Sequence, residues 1–439
     1  MIKVGIRVLL GLFALAVVGA VIYSLPPVRA RLDWRLSEWQ ARIKYALAPP
    51  EQAVFVPQQQ TAFPTPTFLP SHTSTASPAP VTPTATLTGP TTSTALSASH
   101  TPPPTHTPTQ TPTPLPERVQ LTGVRHEFQT WNNCGPATLS MALSFWGWQG
   151  DQAITAPFLK PLARDKNVMP YEMAAFVEEQ TDFGVVTRVG GKLELIKQFL
   201  AAGLPVLLEK GFEGPNFEGW MGHYVLVTGY DDATQQFNTQ DSFLGPNIVV
   251  AYGVVESFWR AFNFTYLVVY PDDREAEVLA ILGTQADETA NDQHALQVAS
   301  EEIYTLTGRD QFFAWFNRGT NLVALQDYAG AAAAYDEAFA LYAELPEDER
   351  PWRMMWYQTG PYWAYYYTGR YADVINLATT TLDAMSEPVL EESYYWRALA
   401  REALGDVAGA IEDLQTSLEY HPGFVPSLEQ LVRLGVDTP

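Results

Sequence analysis

Cysteine is nearly absent from this chain. Among 439 residues there is one, Cys134, so no intramolecular disulfide can form and no cysteine-rich zinc or iron–sulfur site can be assembled. Basic residues are also scarce. Lys and Arg number 26 against 48 Asp and Glu, and the formal charge of -22 argues against a nucleic-acid partner. The shortage is uneven, because residues 272–439 contain no lysine and hold most of the acidity. From Gln52 to Pro116 there is no charged side chain of either sign. Long apolar runs are missing too, with one exception at the start, Val8 to Leu25.

That exception is long enough to span a hydrocarbon core. The residues after it, Tyr23-Ser24-Leu25-Pro26-Pro27, make a poor signal-peptide cleavage site, so a retained single-pass membrane anchor is expected. Between Thr61 and Pro116, Thr, Pro and Ser make up 38 of 56 residues. Such a segment cannot bury a core and reads as a disordered stalk of the kind found outside cells. Counting basic residues around the span would place the C-terminal side in the cytoplasm, but the stalk composition argues the opposite. The expectation is a cell-membrane protein with the bulk of the chain extracytoplasmic. Residues 1–50 would form the anchor and a juxtamembrane helix over 32–47, capped near Asp33, and residues 51–116 the stalk.

Ordered structure is expected from 117 onward. After Asn132 and Asn133 comes Cys134-Gly135-Pro136, followed by apolar residues at helical intervals from Leu139 to Trp146. Cys134 thus opens a buried helix, where unpaired N–H groups and the helix dipole favour a thiolate. Downstream, Leu204 to Lys210 reads as a strand and Gly211 to Gly222 as a loop. That loop is either a flap with Phe217 and Trp220 as an apolar wall, or a plain hairpin connection. His223 then opens a second strand, and a turn at Asp231 to Thr234 returns the chain to Asp241. Cross-strand pairing would bring His223 beside Asp241, and an imidazole oriented by a carboxylate is what a thiol nucleophile needs as its base. His126 reads as structural. No cofactor or metal motif is expected.

The blocks QTWNNCGPATLSMAL, GHYVLVTGYD and TQDSF resemble the motifs of the bacteriocin-processing, double-glycine-leader type of papain-like cysteine peptidase, family thirty-nine of the cysteine peptidases, including its stand-alone relatives. The resemblance implies an α+β papain-like domain over 117–271. It also implies Cys134 as nucleophile, His223 as base, Asp241 as its orienting partner and Gln129 as oxyanion donor. Peptide or protein substrates follow from it. Relatives that process bacteriocin leaders are usually fused to a transporter, which needs many spans that are missing here, so export-coupled leader cleavage is not expected.

Residues 272–439 resemble an all-α tetratricopeptide-like repeat domain. Copies run over 314–341, 356–382 and 395–422, with Gly319, Gly360 and Ala398 taken as equivalent and a degenerate helix pair over 274–303. Such arrays expose a groove for peptides or a protein partner. Repeat two is crowded with aromatics, Trp356, Tyr357, Tyr362, Trp363, Tyr365, Tyr366 and Tyr367, which suit either a ligand surface or a core. The expected function is a membrane-tethered thiol hydrolase. The alternatives are a non-catalytic peptide-binding scaffold and a cell-wall amidase or transpeptidase.

Overall fold

The structure, a computed structural model, describes residues 26–58, 114–162, 164–214 and 219–437. The expected membrane span and most of the Thr/Pro-rich tract lie outside the described residues. No helix among the described residues is long and apolar enough to cross a membrane.

Helix α1 runs Pro26–Leu47, six residues longer at its start than the helix expected from Asp33. Proline fits there because the first helical residues need no N–H partner. The sheet region follows: β1 (Arg118–Gln120), α2 (Cys134–Phe145), α3 (Gln152–Leu159), α4 (Pro170–Gln180), β2 (Phe183–Arg188), α5 (Leu193–Ala201), β3 (Val206–Phe212), β4 (Met221–Asp231), β5 (Gln236–Asp241), β6 (Gly245–Ala251), α6 (Tyr252–Arg260) and β7 (Tyr266–Pro271). The strands form one antiparallel sheet in the order β2–β7–β3–β4–β5–β6, with β1 pairing to the far end of β4.

Alternation along the strands decides what covers each face. Val206, Leu208, Val225, Val227, Tyr266 and Val268 join a core with Phe199 and Leu200 of α5 and Val255 and Trp259 of α6. Leu207, Tyr224, Leu226, Leu267 and Val269 face the other way, onto Leu139 and Leu143 of α2 and Met173 and Phe176 of α4. Helix α2 is therefore clamped against the sheet by a largely apolar face, the Thr138 hydroxyl donating to the Tyr224 carbonyl at 3.2 Å, which holds its N-terminus, and Cys134 with it, near the start of β4.

The rest of the chain is helical: α7 (Glu275–Leu282), α8 (Glu288–Glu302), α9 (Gly308–Ala324), α10 (Tyr328–Glu344), α11 (Gly360–Tyr367), α12 (Tyr371–Ala384), α13 (Glu391–Ala403), α14 (Val407–Tyr420) and α15 (Val425–Arg433). Three hairpins, α9/α10, α11/α12 and α13/α14, turn on three-residue loops at 325–327, 368–370 and 404–406. Asp327 and Asp406 cap the second helices of the first and third hairpins through Gly330 and Gly409 N–H. Aligning the hairpins on these loops corrects one sequence assignment. Gly319 and Ala398 each lie six residues before their loop, and so does Tyr362; Gly360 does not. The insertion at 345–359 hides that two-residue offset, since it ends immediately before α11.

Helix α7 packs Val278 and Leu282 into the sheet core although it lies beyond residue 271. The helices and the sheet also share a seam, where Trp220 stacks on Phe262 at 5.6 Å and meets Phe313 at 5.9 Å. Trp220 is thus a buried packing residue, not the wall of an open flap, while Phe217 lies outside the described residues. The stalk expectation needs correction at its start as well. Phe55 inserts among Phe339 and Tyr365, the Gln58 N–H donates to Asp373, and Arg350 donates to the Glu51 carbonyl. Helix α1 is bound to the same helices, Lys44 donating to the carbonyls of Asp383 and Met385 and Tyr45 packing on Trp352. Phe55 fills an aromatic pocket, so residues 51–58 belong to the folded body and not to a stalk.

Candidate active site

Cys134 is the first residue of α2. Asn132, with φ of 59°, turns the chain into the helix, and Pro136 occupies its first turn. The segment before the cysteine is held by side chains. Gln152 accepts from the Thr130 N–H at 2.8 Å and donates to Glu127 at 2.8 Å, while Glu127 also bonds Ser140 of α2. Lys160, only 4% exposed, donates to the Asn132 carbonyl at 2.7 Å and to Asn133 Oδ1 at 3.2 Å. Burial lowers its pKa to about 8.

His223 is the third residue of β4 and buried; its Nε2 lies 3.0 Å from Asp241 Oδ1. The β4–β5 register, Leu226 opposite Gln240, would set Asp241 opposite Val225. His223 and Asp241 are therefore diagonal neighbours, two residues off the direct pairing expected from sequence. Asp241 Oδ1 also accepts from the N–H groups of Phe243 and Leu244 at 2.8 and 2.9 Å. Burial works against the carboxylate, but the His223 bond and these two amides win and bring its pKa to about 2. A carboxylate locked on Nε2 leaves Nδ1 as the ring nitrogen available to Cys134, whose thiol acts on the imidazole electrostatically.

The electrostatics of the pair are consistent with that geometry. Burial pushes the Cys134 thiol up, but the His223 hydrogen bond and charge, the Tyr224 backbone N–H and the Lys160 ammonium outweigh it, leaving its pKa below the ordinary value. Burial pushes His223 down, but Asp241 and Cys134 together raise it above the ordinary imidazole value. The arrangement favours a thiolate–imidazolium pair. Gln129 stands beside it, tied to Ser242 twice: its N–H donates to the Ser242 carbonyl at 2.8 Å, and its Oε1 accepts from Ser242 Oγ at 2.9 Å. With Oε1 occupied, the amide Nε2 is the end that can donate into the cleft. All four sequence-identified residues are thus close together, whereas His126 does not line the cleft and makes a T-shaped contact with Phe128.

Cys134, His223 and Gln129 line a cavity of about 490 Å³. Its walls come from three parts of the chain: Trp131, Phe212 and Phe243 from the sheet region, Arg353, Trp356 and Tyr357 from the insertion before α11, and Arg42 and Tyr45 from α1. The aromatics of the second repeat accordingly divide. Tyr362 and Tyr365 are core, whereas Trp356 and Tyr357 face the cleft. Tyr357 also accounts for the glycine before the histidine, since a Cβ at Gly222 would meet its ring at 3.0 Å and Phe262 at 2.8 Å. One buried acid, Glu209, reaches the cleft floor opposite Tyr224 in the β3–β4 pairing. Burial raises its carboxyl to about 8, the Tyr224 hydrogen bond offsetting only part of the effect. Lys160, Glu209 and Tyr357 have no signature in the local sequence, and only the paired strands and the docked helices bring them here.

Residues 116–266 match the model of the Peptidase_C39 like family. The match points to cysteine peptidase activity acting on peptide or protein substrates. Among solved structures, the chain is similar to the crystal structure of a candidate C39-like peptidase from Bacillus anthracis, at 15% identity and a TM-score of 0.30, over 35% of this chain and 96% of that one. No curated protein matches the chain.

Proposed function

We propose that this protein is a membrane-tethered thiol hydrolase that cleaves peptide or amide bonds. The observation that carries the proposal is the ordered series Cys134, His223, Asp241, with the 3.0 Å Nε2–Oδ1 bond behind Cys134 and His223 on the wall of a cavity. The Cys134 thiolate adds to the scissile carbonyl, and the charge that develops on oxygen is met by Gln129 Nε2–H and the Cys134 backbone N–H. His223 Nδ1–H then protonates the leaving amine, and an acyl thioester remains on Cys134. A water molecule gives its proton to His223 and attacks the thioester, which releases the acid and restores the ion pair.

The insertion before α11 supplies one cleft wall, and the tetratricopeptide-like hairpins that carry it hold the substrate or a protein partner. The apolar run before α1 anchors the chain with its bulk outside the cell. Because α1 contributes to the cleft and is about 33 Å long at 1.5 Å per residue, catalysis takes place close to the bilayer on peptides presented at the membrane. The test is peptide-cleavage profiling by mass spectrometry with the full chain and its Cys134→Ala variant. Cleavage by the parent alone is expected; identical profiles would leave a peptide-binding protein.

A further inference from the structure

The seam between the sheet region and the last hairpin contains an excess of buried acid. Asp165, from the loop between α3 and α4, is 2% exposed, and Glu391, the first residue of α13, is also 2% exposed. His421 closes α14 and places Nδ1 2.7 Å from Glu391 Oε1. One ligand atom from each of these three residues lies within 4.8 Å of the others. Glu392 and Glu172 are close behind them, and Asn167 sits among the acids. Its N–H donates to Asp165 Oδ1 at 3.2 Å, and its Nδ2 donates to Glu392 Oε1 at 3.4 Å.

Two oxygens in this cluster have no hydrogen-bond partner: Glu391 Oε2 and, on a side chain 5% exposed, Asn167 Oδ1. Buried acceptors are seldom left so, because each forfeits its hydration. The nearby positive groups do not balance the four carboxyls. Lys160 is committed to Asn132 and Asn133, Lys166 lies over the Trp131 ring, and His421 already serves Glu391. A proton neutralises one carboxyl and leaves the others of the four charged. A cation needs no acceptor and uses bare oxygens directly.

We propose that Asp165, Glu391 and His421 bind one divalent transition cation of the Zn²⁺ class, joining the sheet region to the helical hairpins. The ligand set selects the class. An imidazole with two carboxylates suits zinc, whereas calcium takes six to eight oxygens and rarely an imidazole. The bound ion would also fix the loop bearing Lys166, Asn167 and Val168, which forms part of the cleft wall.

The test uses the full chain with Cys134→Ala, so that the thiol cannot capture the metal, stripped with chelator and titrated with ZnCl₂. Elemental analysis should find one Zn²⁺ per chain, with the melting temperature raised by roughly 5 °C or more. Glu391→Gln combined with His421→Ala should abolish both effects while melting in chelator no lower than its parent, since it removes a buried charge. No retained Zn²⁺ and no melting shift in the parent would overturn the proposal. So would full retention in the double variant, or a shift produced by CaCl₂ and not by ZnCl₂. If the double variant does not fold, the parent titration alone still decides.

Discussion

His223 Nε2 and Asp241 Oδ1 are 3.0 Å apart, both buried, and this one hydrogen bond fixes which imidazole nitrogen faces Cys134. Asp241→Asn keeps the shape but loses the charge that holds His223 protonated. The expected result is a fall in kcat of about 10²–10⁴ with KM little changed, measured on any peptide the parent cleaves. An unchanged kcat would mean that Asp241 only terminates β5.

Gln129 is proposed to donate to the oxyanion, which exists only after the thiolate has attacked. Gln129→Ala should therefore lower kcat by about 10²–10³ and leave the alkylation rate of Cys134 unchanged. Loss of alkylation in step with kcat would show that Gln129 shapes the cleft and does not stabilise the intermediate.

The proposed catalytic series is legible in the sequence because each member lies in a short block: a cysteine opening an apolar helix, a Gly-His at a strand start, and an Asp closing the returning strand. The helical hairpins are legible from their repeated pattern, but the contiguous apolar run Val206 to Leu208 does not say which face each residue takes. What could not be read was whatever depends on docking. Trp356 and Tyr357 looked like Tyr362 and Tyr365, since aromatic composition does not say which face meets a cleft 134 residues upstream. By sequence Phe55 falls in the expected stalk, and only the docked helices bring Phe339 and Tyr365 around it. The Gly360 offset arose because the 345–359 insertion ends without a break in helical pattern.

Tyr357 lies in the insertion before α11 and borders the cleft, so it should affect substrate binding more than chemistry. Tyr357→Ala is expected to raise KM by about tenfold, the loss of roughly 1.4 kcal/mol of contact, with kcat and thiol alkylation close to the parent. A selective loss of kcat would instead place Tyr357 in positioning the reacting groups.

Glu209 gives a prediction about stability. Its carboxyl is raised from the ordinary value to about 8 by burial, so between about pH 4.5 and 8 the folded state binds more protons than the unfolded state. Its contribution is therefore fully present below the unfolded value and is lost as pH rises toward 8. Glu209→Gln should flatten that decline, by up to a few kcal/mol at about 1.4 kcal/mol per pKa unit, in urea melts at pH 5 and pH 8. A variant that loses stability equally at both pH values would contradict the assignment.

The chain's only cysteine makes the most direct measurement unambiguous, because any alkylation of the native protein reports on Cys134. The account predicts that the iodoacetamide rate stays high below neutral pH and falls only as the lowered thiol pKa is crossed. In His223→Ala the same curve should move up toward the ordinary thiol value of about 8.5. Superimposable curves for the two proteins, or a native thiol that does not react at neutral pH, would contradict the thiolate–imidazolium pair on which the hydrolase proposal stands.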